Sequence, residues 1–274
     1  MMKLMLLTGD PQFAQKAEKC GVDRIFLDLE YINKADRQKG RNTFITQNTT
    51  DDVVPLRKAV KNAELLVRVN PIHPHSKEEI DAVCAAGADL IMLPMVYDDD
   101  DVKTFVKLVA GRAKTVPMIE TAPAMARIDS ILNVDGVDEL YIGLNDLHIG
   151  LGLTFMFEIL SGGLLDYMAE KIHKKGIPFG FGGMAKIGEG TLPAEKILAE
   201  HYRLGSSSVI LSRTFRNEVD ADGKPALNLE EEIAKIRNEE KLLSQWNREA
   251  FENNRREVSQ IVSQIVKNSF RDVK

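Results

Sequence analysis

Residues 116–152 read VPMIETAPAMARIDSILNVDGVDELYIGLNDLHIGLG. Two short apolar runs stand out in this stretch, VPMI and ELYIG. Glu120 directly follows the first, and Asp146 comes three residues after the second. The residues between them predict one helix. Two parallel strands of a single sheet need such a crossover, so both carboxylates emerge at the same, carboxyl-terminal, edge. That edge is where α/β barrels place their chemistry. Two hard oxygen donors there, with room for water and a substrate, suit a divalent cation such as Mg²⁺, and Mn²⁺ or Co²⁺ share the same ligand preference. No histidine or thiol cluster in the sequence competes for that role.

Working outward, the same alternation repeats. LMLLT, RIFLDL, LLVRVN, DLIMLP, the two runs above, IPFGF and SSVILSRTF make eight strand candidates, each but the last followed by a helical segment before the next. GVDRIF at Gly21, GADLIM at Gly87 and GVDELY at Gly136 echo one another. Each pairs a helix-ending glycine, which supplies a positive φ, with an Asp and the next strand. The expected fold is therefore α/β, a (β/α)8 TIM barrel over residues 1–227, with a helical C-terminal extension over 228–274. An open doubly wound sheet would not need eight alternating units. Ser76 with Glu79 three residues on has the form of a capping box. The polar stretch from Tyr31 to Thr50 is long for a βα connection and has the length of a lid or site wall. In the extension, Val258, Ile261, Val262, Ile265 and Val266 form an i, i+3, i+4, i+7, i+8 stripe. It needs a cover, either a neighbouring subunit or its own barrel.

The chain has 274 residues, 44% of them hydrophobic and 28% charged, with a formal net charge of −5. These values fit a single large globular domain. They offer no basic face for nucleic acid. No run approaches the ~20 apolar residues of a membrane span, and MMKLMLLTGD lacks the form of a signal peptide. Cys20 and Cys84 are too few for a disulfide framework, so the expectation is two reduced core thiols in a cytoplasmic protein.

The elements FLDLE, LVRVNP, DLIMLPMV, MIETAPAMARID and GVDELYIGLNDL, in this order and spacing, resemble the HpcH/HpaI aldolase and citrate lyase β-subunit family of metal-dependent lyases. The likeness runs from Leu4 to about Phe215. It implies that Glu120 and Asp146 are the direct metal ligands and that Arg68 contacts the keto or enolate oxygen. It also implies that Glu30 holds metal-bound water and that backbone N–H groups around Asn145 and Asp146 hold the substrate carboxylate. A trimeric or hexameric homo-oligomer acting on a small 2-oxo acid comes with the same resemblance. The chain departs from the family at Tyr31, where the aldolase branch has a histidine and the citrate lyase branch an Asp. His148, His73, His75 or a metal-bound hydroxide are the replacements for the general base, with His148 the first choice.

The implied reaction is cleavage of a 4-hydroxy-2-oxo acid to pyruvate and an aldehyde, or its reverse. An enolate develops next to a cation and a guanidinium, and no lysine is placed by motif for an imine. The alternative within the family is an acyl-CoA lyase of the malyl-CoA or citramalyl-CoA type. Outside it stand a barrel that binds a phosphoenolpyruvate-like ligand and a non-catalytic oligomeric binding protein. The phosphate reading points to Gly182, Gly183 and Lys186 in GFGGMAKIGEG and to Arg213 after strand eight, where such barrels hold anions. The other reading of those glycines is close backbone packing.

Overall fold

The computed structural model describes residues 1–32, 48–216 and 228–271. Eight strands follow one another around a closed barrel in sequence order: β1 (Lys3–Leu7), β2 (Arg24–Asp28), β3 (Glu64–Arg68), β4 (Leu90–Leu93), β5 (Lys114–Ile119), β6 (Leu140–Ile142), β7 (Phe179–Met184) and β8 (Ser208–Leu211). The expected (β/α)8 architecture is thus the observed one, with helices between the strands. By its contacts the chain falls into two compact units, Met5–Tyr141 and Ile142–Lys274 together with Met1–Leu4.

In the first unit β1 to β5 pair in parallel. The central strands are buried along their whole length, as RIFLD and LIML are here. The helices between them start and stop on local chemistry. Asp10 caps the Pro11–Lys19 helix by accepting from the N–H groups of Gln12 and Phe13, with Pro11 in the first turn. Asp98 does the same for Asp99–Val109 through Asp100 and Asp101. The three echoing glycines, Gly21, Gly87 and Gly136, have φ of 92°, 93° and 87°, as the repeated pattern requires.

Two local expectations are corrected. Residue Ser76 is not a cap but the first residue of the Ser76–Ala85 helix, behind His75. Its hydroxyl accepts from His73 N–H, while Glu79 reaches back to Asn70 and His73. The β5–β6 crossover is two short helices, Ala122–Ala126 and Ile128–Ile131, in place of one. Arg127 between them leaves helical geometry (φ −100°, ψ 19°) and donates to the Tyr97 carbonyl. The middle of the Tyr31–Thr50 stretch, 33–47, lies outside the described residues.

In the second unit β7 and β8 pair in parallel with a register irregularity between Gly180 and Gly183. The C-terminal helices are Leu229–Leu243 and Arg248–Arg271. The long one packs on the Ala194–Arg203 and Glu158–Ser161 helices. Buried Asn254 ties it down, donating to the Lys196 carbonyl at 3.1 Å and to Glu200 at 2.9 Å. Val258 and Val262 of the predicted stripe are buried, and Ile261, Ile265 and Val266 are half-buried. The cover at the buried end of the stripe is therefore the chain's own helices. Both cysteines are free and only partly buried, less deep than expected, and burial raises the Cys84 thiol.

Candidate active site

Register builds the first half of the site. In the β2–β3 ladder Asp28 lies opposite Arg68, so the two side chains leave the same pleat together. Arg68 meets Asp28 through two parallel bonds, Nε to Oδ1 and Nη2 to Oδ2, both 2.8 Å. This is the fork geometry that suits a guanidinium and a carboxylate. Nη2 also stands 3.3 Å from Glu30 Oε2, Nη1 lies 3.8 Å from the Met118 sulfur, and the guanidinium sits over the Phe26 ring at 5.5 Å. Burial opposes the charge on Arg68. The fields of Asp28, Glu30 and Glu120 outweigh that cost, and the guanidinium is held more firmly protonated than usual.

Asp28, Glu30 and Glu120 are each almost fully buried. Three carboxylates thus face one guanidinium, a formal excess of two negative charges in a low-dielectric setting. Glu120 follows the last residue of β5, and its Oε1 accepts a 2.9 Å bond from Met95 N–H. Met95 makes that bond from a left-handed backbone, φ 53°. A non-glycine residue in that region stores strain, which concentrates where a backbone group must be aimed. The sequence carried no signal for this contact, because a Met in an apolar run reads as core.

In the second unit Asn145 and Asp146 lie in the first turn of the Leu144–Gly150 helix, which begins at Gly143 directly after β6; both are half-buried. Helix first turns present N–H groups without intrahelical acceptors. His148 is buried on the same helix with Nδ1 3.2 Å from the Leu144 carbonyl, so one ring nitrogen is engaged by its own helix. Of the first-unit alternatives, His73 is engaged at both ring nitrogens: Nε2 is 3.1 Å from Glu79, and Nδ1 is 3.3 Å from His75 N. Tyr31 is 64% exposed.

The glycine-rich segment begins inside β7 and not after it. Gly182 has φ 55°, and a Cβ there would come within 2.9 Å of Leu144 Cδ1, so this glycine admits the helix that carries Asp146. Lys186 is paired with Glu189 at 2.8 Å, and Arg213 is exposed in the short turn Arg213–Arg216. Among the described residues no three His, Cys, Asp or Glu side chains gather to hold an ion. Hard divalent ions commonly take few protein carboxylates and leave their remaining positions to water and substrate. The donor set and the negative excess fit that group.

Residues 2–159 match the HpcH/HpaI aldolase/citrate lyase family, and the chain belongs to it. Over 79 residues it is 39% identical to a hydroxypyruvate/pyruvate aldolase of Rhizorhabdus wittichii, covering 26% of this chain and 31% of the relative. Over 97 residues it is 30% identical to a pyruvate kinase of Methylorubrum extorquens, covering 35% of this chain and 20% of the relative. The chain thus spans less than a third of the length of either curated relative. The crystal structure of an HpcH/HpaI aldolase/citrate lyase family protein from Burkholderia cenocepacia superposes with a TM-score of 0.60 at 18% identity, covering 77% of this chain and 87% of the other, a likeness of fold.

Proposed function

We propose that the protein is a divalent-metal-dependent carbon–carbon lyase that cleaves a 4-hydroxy-2-oxo acid to pyruvate and an aldehyde, or runs the addition in reverse. The observation that carries this reading is the buried excess of carboxylate around Arg68 at the carboxyl end of β3. A purely structural arginine needs one or two partners, whereas this one faces three. The family and the aldolase relative support the reaction class.

Glu120 and Asp146 would hold the cation; they follow β5 and β6, which are consecutive in the barrel order. When bound, it supplies Lewis acidity toward a 2-oxo acid. Arg68 donates to the oxygen on which charge develops as the carbon–carbon bond breaks, and it is oriented for this by Asp28 before substrate arrives. Glu30 orders water beside it. Amides near Asn145 and Asp146 take the substrate carboxylate. His148 serves as the base, its ring fixed by the bond at Nδ1. Residues 1–227 form the catalytic barrel in this reading and 228–274 its extension, in a cytoplasmic homo-oligomer. Among the described residues no helix is long and apolar enough to cross a membrane.

The test is solvent exchange at the pyruvate methyl group, with Mn²⁺ and with a chelator. Exchange that needs the ion and disappears in Glu120→Ala and Asp146→Ala supports the proposal; unchanged Mn²⁺ affinity in both variants defeats it. The likeness to a pyruvate kinase favours one second reading, a barrel that binds a phosphorylated enol through Gly182, Gly183, Lys186 and Arg213. Binding of phosphoenolpyruvate that weakens in Arg213→Ala, without methyl exchange, would select it.

A further inference from the structure

The residue two places beyond Arg68 does more than end a strand. Asn70 is 2% exposed, and its carboxamide uses its whole bonding capacity. Oδ1 accepts from the N–H groups of Tyr31 and Ile32, each at 3.0 Å. Nδ2 donates to Glu79 Oε1 at 2.7 Å and to the Leu29 carbonyl at 3.4 Å, and the Asn70 backbone N–H lies 3.3 Å from both Glu79 oxygens. Glu79 is held in turn by the Ser76–Ala85 helix and by His73.

These bonds bracket one residue. Upstream of Glu30, Leu29 N–H donates to the Arg68 carbonyl at 2.9 Å; downstream, Tyr31 and Ile32 are pinned to Asn70. Glu30's own N–H donates to Asp28 Oδ1 at 3.1 Å. A chain leaving a strand is ordinarily free to drift, and a site tolerates a misplacement of only about 0.5 Å. We propose that Asn70 is a positioning residue: through the backbone of Tyr31 and Ile32 it fixes the Glu30 carboxylate against Arg68, and Glu79 anchors it to the helix behind. This rests on the lyase reading for what Glu30 does.

Asn70→Ala should lower the rate of pyruvate methyl exchange by about 10–100-fold, the cost of a misplacement of about 1 Å. The Mn²⁺ affinity, set at other side chains, should stay within about twofold, and the Tyr31 and Ile32 amides should lose their protection from hydrogen exchange. Asn70→Asp is the second variant, and it covers the case in which the alanine variant fails to fold. It keeps the acceptor for the two amides but sets a carboxylate against Glu79, and two charged carboxylates cannot share that contact. Its exchange rate should therefore recover as pH falls and one proton enters the pair, a rise that wild type lacks. The titratable groups around this contact are Glu79, His73, Glu78, His75 and Tyr31. The acid recovery should persist when His73→Gln is added.

Amides that open in Asn70→Ala while the exchange rate stays within twofold would overturn the positioning role and leave the lyase reading intact. A pH profile of Asn70→Asp parallel to wild type would overturn it as well. A wild-type protein with no methyl exchange would remove the lyase reading and this role together; amide protection lost in the variant would then show only a structural clamp.

Discussion

The β2–β3 ladder carries an arginine–carboxylate pair at each end, and the two are built in opposite senses. At the amino end Arg24 of β2 lies opposite Glu64 of β3; four residues on, Asp28 of β2 lies opposite Arg68 of β3. Arg24 is buried and Arg68 half-buried, with Phe26 on the same strand face between them. Arg24 bonds Glu64 at 2.7 Å and forks onto Glu139 at 2.7 and 2.6 Å, and Lys114 adds a second cation at 2.9 Å from Glu64. Two cations meet two anions there, and the account is closed. At the carboxyl end Arg68 meets three carboxylates and leaves a negative excess. The same ion-pair chemistry is thus a structural rivet where charges balance, and where they do not it leaves the negative excess on which the proposed site rests.

The comparison breaks most visibly at the amino end. Arg24→Met leaves Glu139 and Glu64 without their shared guanidinium, and losing one partner of a buried pair costs roughly 3–5 kcal/mol. Urea unfolding should show that loss with and without Mn²⁺, because the change leaves Glu120 and Asp146, and with them the ion's own stabilisation, as in wild type. At the other end Arg68→Met should also destabilise, and Mn²⁺ should still add about 2.7 kcal/mol at a hundredfold excess over its Kd, as binding does in any variant that keeps the ligands. Methyl exchange in that variant should fall by about 10²–10³, the cost of one oxyanion donor. Arg24→Met should keep methyl exchange near the wild-type rate, and an equal loss of exchange in the two arginine variants would erase the distinction. Next, Glu120→Gln should keep the bond from Met95 N–H yet abolish the rise in melting temperature that Mn²⁺ gives wild type.

The smallest effect concerns Glu18, also near the amino end of the barrel. Burial alone would raise its pKa, but the backbone N–H groups of Asn62, Ala63 and Lys61 lower it below the usual 4.5. A depressed folded value means that the contribution is present above about pH 4.5 and disappears as pH falls through the depressed value. Glu18→Gln should therefore be less stable than wild type by under about 1 kcal/mol at pH 7, with the gap closing in acid. Unfolding at pH 7 and pH 3 checks the sign.

What could be read from the sequence followed from how local each cause is. A glycine that stops a helix acts within its own turn, so Gly21, Gly87 and Gly136 announced the repeat and with it the barrel. The places of Glu120 after β5 and Asp146 after β6 were legible because strand ends are visible in one dimension. The Ser76 and Glu79 pattern misled because the motif is local but its partner was not: Asn70, nine residues upstream of Glu79, captured the carboxylate. The crossover after β5 looked continuous because the acceptor that draws Arg127 away, the Tyr97 carbonyl, belongs to another segment. Asn70, Met95 and the two opposed arginine pairs needed the register of neighbouring strands, which no single stretch of sequence contains.

One contact bears on how the chain is made. The Met2 N–H donates to Glu240, and Arg237 donates to the Met2 carbonyl at 2.8 Å. These partners are separated by 238 and 235 positions. During synthesis at about 5–20 residues per second, Met2 emerges more than ten seconds before the helix that grips it. The ladder from β2 to β5 can zip in the meantime, so Met2 is fastened only after strands that follow it in sequence are free to pair.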